Sequence, residues 1–160
     1  MKNVRTWIDV TDAAHAQLFI QKGADGGWAA AHLNGLPAVD DRVQSHTDKS
    51  DRPGRSFSSS GGGIRHAIES HSDYRKLEKH KFTLAVANAL NHAALGREFD
   101  RLVLVAPPRS VGELRQSLSQ QVQASMRVLE KDLTKAPSGE IRDEVNELLR
   151  YSRLSQPESR

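Results

Sequence analysis

Apolar and polar positions change rhythm several times along this 160-residue chain. Val4 to Val10 has the mixed apolar character of a strand, and Ala16 to Gln21 reads as its partner across the turn chemistry of Thr11-Asp12. Gly23-Ala-Asp-Gly-Gly27 supplies a second turn and Trp28 to Leu33 a third strand, so the opening predicts an antiparallel meander. From about Asn34 to Ser72 the apolar anchors thin to Leu36, Val39, Val43, Phe57, Ile64 and Ile68. A flexible loop over 34–72 is expected there, since an insert this long in a compact domain is functional or unstructured.

The rhythm then becomes helical. Phe82, Ala85, Val86, Ala89, Leu90 and Ala93 step along one face of a helix predicted from about Asp73 to Leu95, with Gly96 as its stop. Its first half carries Arg75, Lys76, Lys79, His80 and Lys81 instead. Phe99 to Ala106 is a nearly continuous apolar run, as for a strand covered on both faces, and Pro107-Pro108 ends it. Ser110-Val-Gly-Glu113 fits a capping box opening a helix to about Gln121 or beyond. Met126 to Leu129 reads as a short strand. Pro137-Ser138 introduces a last helix with Ile141, Val145, Leu148 and Leu149 on its apolar face. Residues 151–160 read as a disordered tail. The expected fold is α/β: a mixed sheet of about five strands packed with helices, one domain over 1–150.

Composition sharpens this picture in two places. A hydrophobic share of 37% and a mean hydropathy of −0.60 leave much of the chain to solvent. The net charge is only +3, but residues 42–81 hold nine Lys/Arg against five Asp/Glu, so that segment carries +4 and the rest −1. Localised positive charge speaks to partners rather than to fold. There are no cysteines, which excludes a disulfide framework and thiolate metal sites. The first ten residues lack the apolar core of an export signal, and no apolar run approaches spanning length, so the expectation is a cytoplasmic protein with no membrane partner.

Candidate chemistry concentrates in Arg52-Pro-Gly-Arg-Ser-Phe-Ser-Ser-Ser-Gly-Gly-Gly-Ile-Arg-His66. Glycine lets backbone approach a partner closely, and the arginine fork suits phosphate. Arg52, Arg55, Gly61, Gly62, Gly63, Arg65, His66, Arg75, Lys76 and Lys79 are therefore the expected phosphate-facing set. Competing chemistry is weaker. His66 and His71 are poorly spaced for one helix face, and no metal site or cofactor is expected. Asp9, Asp12 and Asp100 lie near strand ends, where turn and cap roles outweigh a magnesium site. Ser58, Ser59 and Ser60 lack the strand–elbow–helix setting of a nucleophile, and Gly61-Gly62-Gly63 lacks a Walker ending. Asp132-Leu-Thr134 fits a helix-to-loop cap. Arg109, just past a buried strand, stands where open α/β sheets face a ligand crevice, although a plain strand terminator explains it too.

Asp51-Arg-Pro-Gly-Arg-Ser-Phe57, Arg65-His66-Ala67, Phe99 to Pro108, Gly112-Glu-Leu-Arg115 and Lys131-Asp-Leu-Thr134 resemble, in order, the bacterial host-attachment protein family. That resemblance runs from about Trp7 to Leu149 and implies a part in attachment to host cells. The family is in turn similar to bacterial relatives of the middle domain of archaeal and eukaryotic peptide-release factors. There, a Gly-Gly-Gln loop precedes a long basic helix and enters the ribosomal peptidyl-transferase centre. Gly61-Gly62-Gly63, Ile64-Arg65 and the following helix have a similar layout, with Gly63 where the glutamine would stand. Glycine has no side chain to position water, so the resemblance implies binding rather than peptide release.

Three functions remain open on these grounds. The leading one is a non-enzymatic domain associated with the ribosome or structured RNA. The second is an accessory factor in surface attachment acting through a protein partner. The third is a hydrolase, either of peptidyl-tRNA or, with metal, of nucleic acid.

Overall fold

The computed structural model describes residues 3–23, 27–34, 36 and 64–154; side chains are described within these except at 64–70 and 153–154. The expected sites at Arg52, Arg55, Gly61, Gly62 and Gly63 lie outside the described residues. Three strands come first: β1 (Thr6–Thr11), β2 (Ala16–Gln21) and β3 (Trp28–Ala31). A 32-residue helix, α1 (Ile64–Leu95), leads to β4 (Arg101–Val105). Then follow α2 (Pro108–Ser117), α3 (Gln120–Ser125), β5 (Met126–Leu129) and α4 (Ser138–Leu154).

These strands form one sheet in the order β3-β2-β1-β4-β5. The opening meander pairs antiparallel, whereas β4 pairs parallel with both β1 and β5. Alternation explains the layers. Leu102 and Leu104 of β4 face a core shared with Val86 and Leu90 of α1, Val111 and Leu114 of α2, and Val122 of α3. Val103 and Val105 face a second core closed by Ile141, Val145 and Leu149 of α4. Helices thus cover both faces, as a fully apolar central strand requires. Trp7 packs on Phe99 at one end of the first core, their rings 5.2 Å apart. Among the described residues no helix is long and apolar enough to cross a membrane.

Several boundaries differ from expectation for local reasons. Residues 64–72 belong to α1, so the expected loop over 34–72 ends earlier; this turn-rich, apolar-poor segment gave no helical period to read. Residues 151–154 belong to α4, which extends into the expected tail. Ser110 is not a cap: α2 begins at Pro108 after Pro107, with no side-chain cap bond, because proline at the first helical position already sets φ and forfeits no needed donor. The expected single helix to about Gln121 is two. Leu118 is extended, and Ser119 opens α3 by accepting from the Val122 N–H. Asn91 of α1 fixes that break: its Nδ2 donates to Ser117 O and its Oδ1 accepts from Ser119 N, at 2.9 and 2.8 Å.

The end of α1 at Leu95 is as expected, and the left-handed residue comes one position beyond Gly96. Arg97, not Gly96, takes the left-handed conformation, at φ 53°. Glu98 N donates to Ala93 O and Arg97 N to Ala94 O, the paired bonds of a Schellman stop.

Candidate nucleic-acid interface

The length of α1 decides what it exposes. At 1.5 Å per residue it is about 48 Å long, against about 17–20 Å for a five- or six-residue strand. Its last residues feed into the start of β4, so it runs back across the sheet toward the carboxyl ends of β1 and β4. The stretch from Thr83 to Leu95, about 20 Å, therefore uses up the depth of the sheet. The turns before Phe82, described from His71 to Lys81, overhang. Burial agrees: Thr83, Val86, Ala87, Leu90, Ala93 and Ala94 are buried, while every residue from His71 to Lys81 is exposed.

The overhang carries Arg75, Lys76, Lys79 and Lys81 against Asp73 and Glu78. One ion pair forms among its described residues, Lys81 Nζ to Glu78 Oε1 at 3.6 Å. Arg75, Lys76 and Lys79 make no ion pair with any other described residue. Their positions on the helix are not random. Residues seven apart on a helix differ by only about 20°. Arg75 thus lies in line with Phe82, Lys76 with Thr83, and Lys79 with Val86, all of which pack toward the body. The stripe that is apolar inside the body becomes cationic where the helix leaves it. Arg65 and His66 lie at the start of the same helix.

Beneath the overhang is the carboxyl edge of the parallel strands. The chain leaves β1 toward β2 and leaves β4 toward β5, in opposite directions, which is where open α/β sheets form crevices. Arg109 stands there in the first turn of α2, its side chain 88% exposed and its Nε 3.3 Å from Glu113 Oε1. Such an exposed pair holds an arginine only weakly.

Asp12 closes the β1–β2 turn. Its Oδ1 accepts from Ala14 N and His15 N, both at 2.6 Å, and its Oδ2 accepts from Thr134 Oγ1 at 3.3 Å. The His15 ring lies 3.2 Å from the same carboxylate. Burial pushes this carboxyl up, but the two backbone donors, the His15 ring and its charge together hold it below the usual range. Thr134 also donates to Asp132 Oδ1 at 2.7 Å, so the Asp132-Leu-Thr134 turn is tied to the first hairpin. Asp9 is different. It is fully buried in β1 beside Leu18 and Leu104, neither oxygen has a hydrogen-bond partner among the described residues, and desolvation raises it to about 7.

The carboxylates considered for magnesium do not converge. Asp9 is in the core, Asp12 is on the hairpin turn, and Asp100 is at the amino end of β4 against Arg5. Among the described residues no group of three or more His, Asp or Glu is placed to hold a metal ion. The structure places Arg75, Lys76 and Lys79 on the exposed part of α1. Sequence reasoning missed the burial of Asp9 and the Asp12–Thr134 tie, neither of which leaves a mark in local pattern.

Residues 7–145 match the model of one protein family, described as "protein required for attachment to host cells". The chain belongs to that family. The match to the host-attachment family covers α1, the carboxyl edge, the first core and the second core as far as Val145. No individual curated protein matches the chain.

Proposed function

We propose that this host-attachment-family protein is a non-enzymatic domain that associates with the ribosome or structured RNA inside the cell. Phosphate contacts would come from Arg52, Arg55, the Gly61–Gly63 backbone, Arg65, His66, Arg75, Lys76 and Lys79. The observation that carries this reading is the overhang of α1: three cations in solvent, without acidic partners among the described residues, on a helix longer than its own fold uses. Phosphate recognition needs cations and backbone donors and no catalytic side chain. The order of glycine run, basic entry and long helix supports kinship with the release-factor middle domain, with Gly63 in the glutamine's place consistent with binding alone.

Co-sedimentation with purified ribosomes tests it. The protein is expected to pellet with ribosomes at low salt and to be released as salt rises, because each neutralised phosphate adds to the salt dependence. Replacing Arg65, Arg75, Lys76 and Lys79 with alanine is expected to abolish pelleting. Unchanged pelleting of that variant contradicts the proposal.

The family's description supports a second reading, in which the chain serves attachment through a protein partner. A deletion strain with reduced adhesion, and an affinity-captured protein partner that survives nuclease treatment, are expected on that reading. Normal adhesion excludes it.

A further inference from the structure

We infer that the RNA enters the re-entrant corner between the inner face of the α1 overhang and the first turn of α2 at Arg109, leaving the outer face of the helix unused. This rests on the reading of α1 as an RNA-contacting helix and says which side of it is read.

Three observations carry it. Arg75, Lys76 and Lys79 continue the body-facing stripe of Phe82, Thr83 and Val86, so they overlook the space beyond the carboxyl edge rather than the open solvent behind the helix. The Thr83 hydroxyl donates to Lys79 O at 2.9 Å, at the point where the stripe passes from the body to the overhang. On the opposite side the described residues offer less: Lys81, 3.6 Å from Glu78 in an exposed pair, and the exposed apolar Tyr74 and Leu77. Arg109 completes the corner from a different element. Pro107-Pro108 fixes the chain direction at the end of β4, and the arginine follows at once, on the helix layer that packs with α1. A phosphate chain lying in this corner meets cations on two walls. One lying on the outer face meets, among the described residues, only Lys81, which has an acidic neighbour in Glu78.

Because the chain has no cysteine, a single introduced thiol reports on one face without competition. Ser72 lies four residues before Lys76 and seven before Lys79, on the inner stripe; Leu77 lies on the outer face, and both are exposed. A photoreactive label on Ser72→Cys is expected to cross-link a short single-stranded RNA and ribosomal RNA, and the same label on Leu77→Cys is expected not to. In parallel, Arg109→Glu is expected to weaken RNA binding several-fold and reduce the slope of log affinity against log salt by about one or more. Lys81→Glu is expected to leave both nearly unchanged. Thermal melts confirm folding of each variant. Equal cross-linking from both labels, or equal effects of Arg109→Glu and Lys81→Glu, overturns the corner while RNA binding itself stands. Absence of RNA binding in the unsubstituted protein overturns the corner and the functional reading together.

Discussion

The two halves of α1 share a backbone conformation and differ in everything that surrounds it. In the C-terminal half, Val86, Ala87 and Leu90 are fully buried against the sheet. In the N-terminal half, from His71 to Lys81, no residue is buried and the same angular stripe holds Arg75, Lys76 and Lys79. One half is held by packing and the other is carried by it, since an isolated polar helix of this length is only marginally stable in water. A fold needing only to cover its sheet could end this helix near Thr83. The additional turns, and the charge they carry, are what a functional account has to explain.

That contrast can be broken most severely from the packed side. Leu90→Ala is expected to destabilise the protein by about 2–5 kcal/mol, through lost burial and the cavity left behind. Leu77→Ala in the overhang is expected to stay within about 0.5 kcal/mol. Urea titrations of the two variants measure the difference, and similar losses would mean that the overhang is packed after all.

Asp9 tests the core beneath the packed half. Its folded pKa of about 7 lies above the ordinary 3.8, so between those values the folded state holds more protons than the unfolded one. The stability due to its protonated form is complete below the unfolded pKa and is lost as pH rises to about 7. The full change corresponds to about 4 kcal/mol. Asp12, held low, contributes in the opposite direction as pH falls. The difference between the native protein and Asp9→Asn isolates the Asp9 contribution: the asparagine variant is expected to gain on the native protein as pH rises from 5 to 8. A pH-independent difference would show that Asp9 is solvated or paired.

Asn91 marks the seam where the packed half meets the α2–α3 break. Removing its two bonds by Asn91→Ala is expected to cost about 1–3 kcal/mol, because the Ser119 N–H and Ser117 carbonyl lose their partner together. Arg97 sets the far end of the helix. Arg97→Gly is expected to stabilise by about 0.5 kcal/mol, the relief of a left-handed residue less the greater freedom of glycine when unfolded. Thermal melts are sensitive enough for both.

Much of the packed body was legible in the sequence. Ala16 to Gln21 and Met126 to Leu129 were bounded as the structure has them, and the run through Leu102, Val103, Leu104 and Val105 announced a strand buried on both faces. The first nine residues of α1 were not legible, because Ile64, Ala67 and Ile68 are too few to set out an apolar period. Neither was the split at Leu118, which depends on Asn91 reaching across from another helix. Gly96 follows the last helical residue as read, whereas the left-handed conformation of Arg97 is set by the bonds to Ala93 and Ala94, which local propensity does not show. Of the site, the cations could be named from sequence. Their alignment with Thr83 and Val86 required the helix to be laid on the sheet.

The most direct measurement of the central claim is the salt dependence of RNA binding by the native protein and by the Arg75→Ala, Lys76→Ala, Lys79→Ala triple variant. The account predicts that the slope of log affinity against log salt is shallower in the variant by about three, one for each phosphate contact removed. A variant with the native slope and native affinity would contradict it.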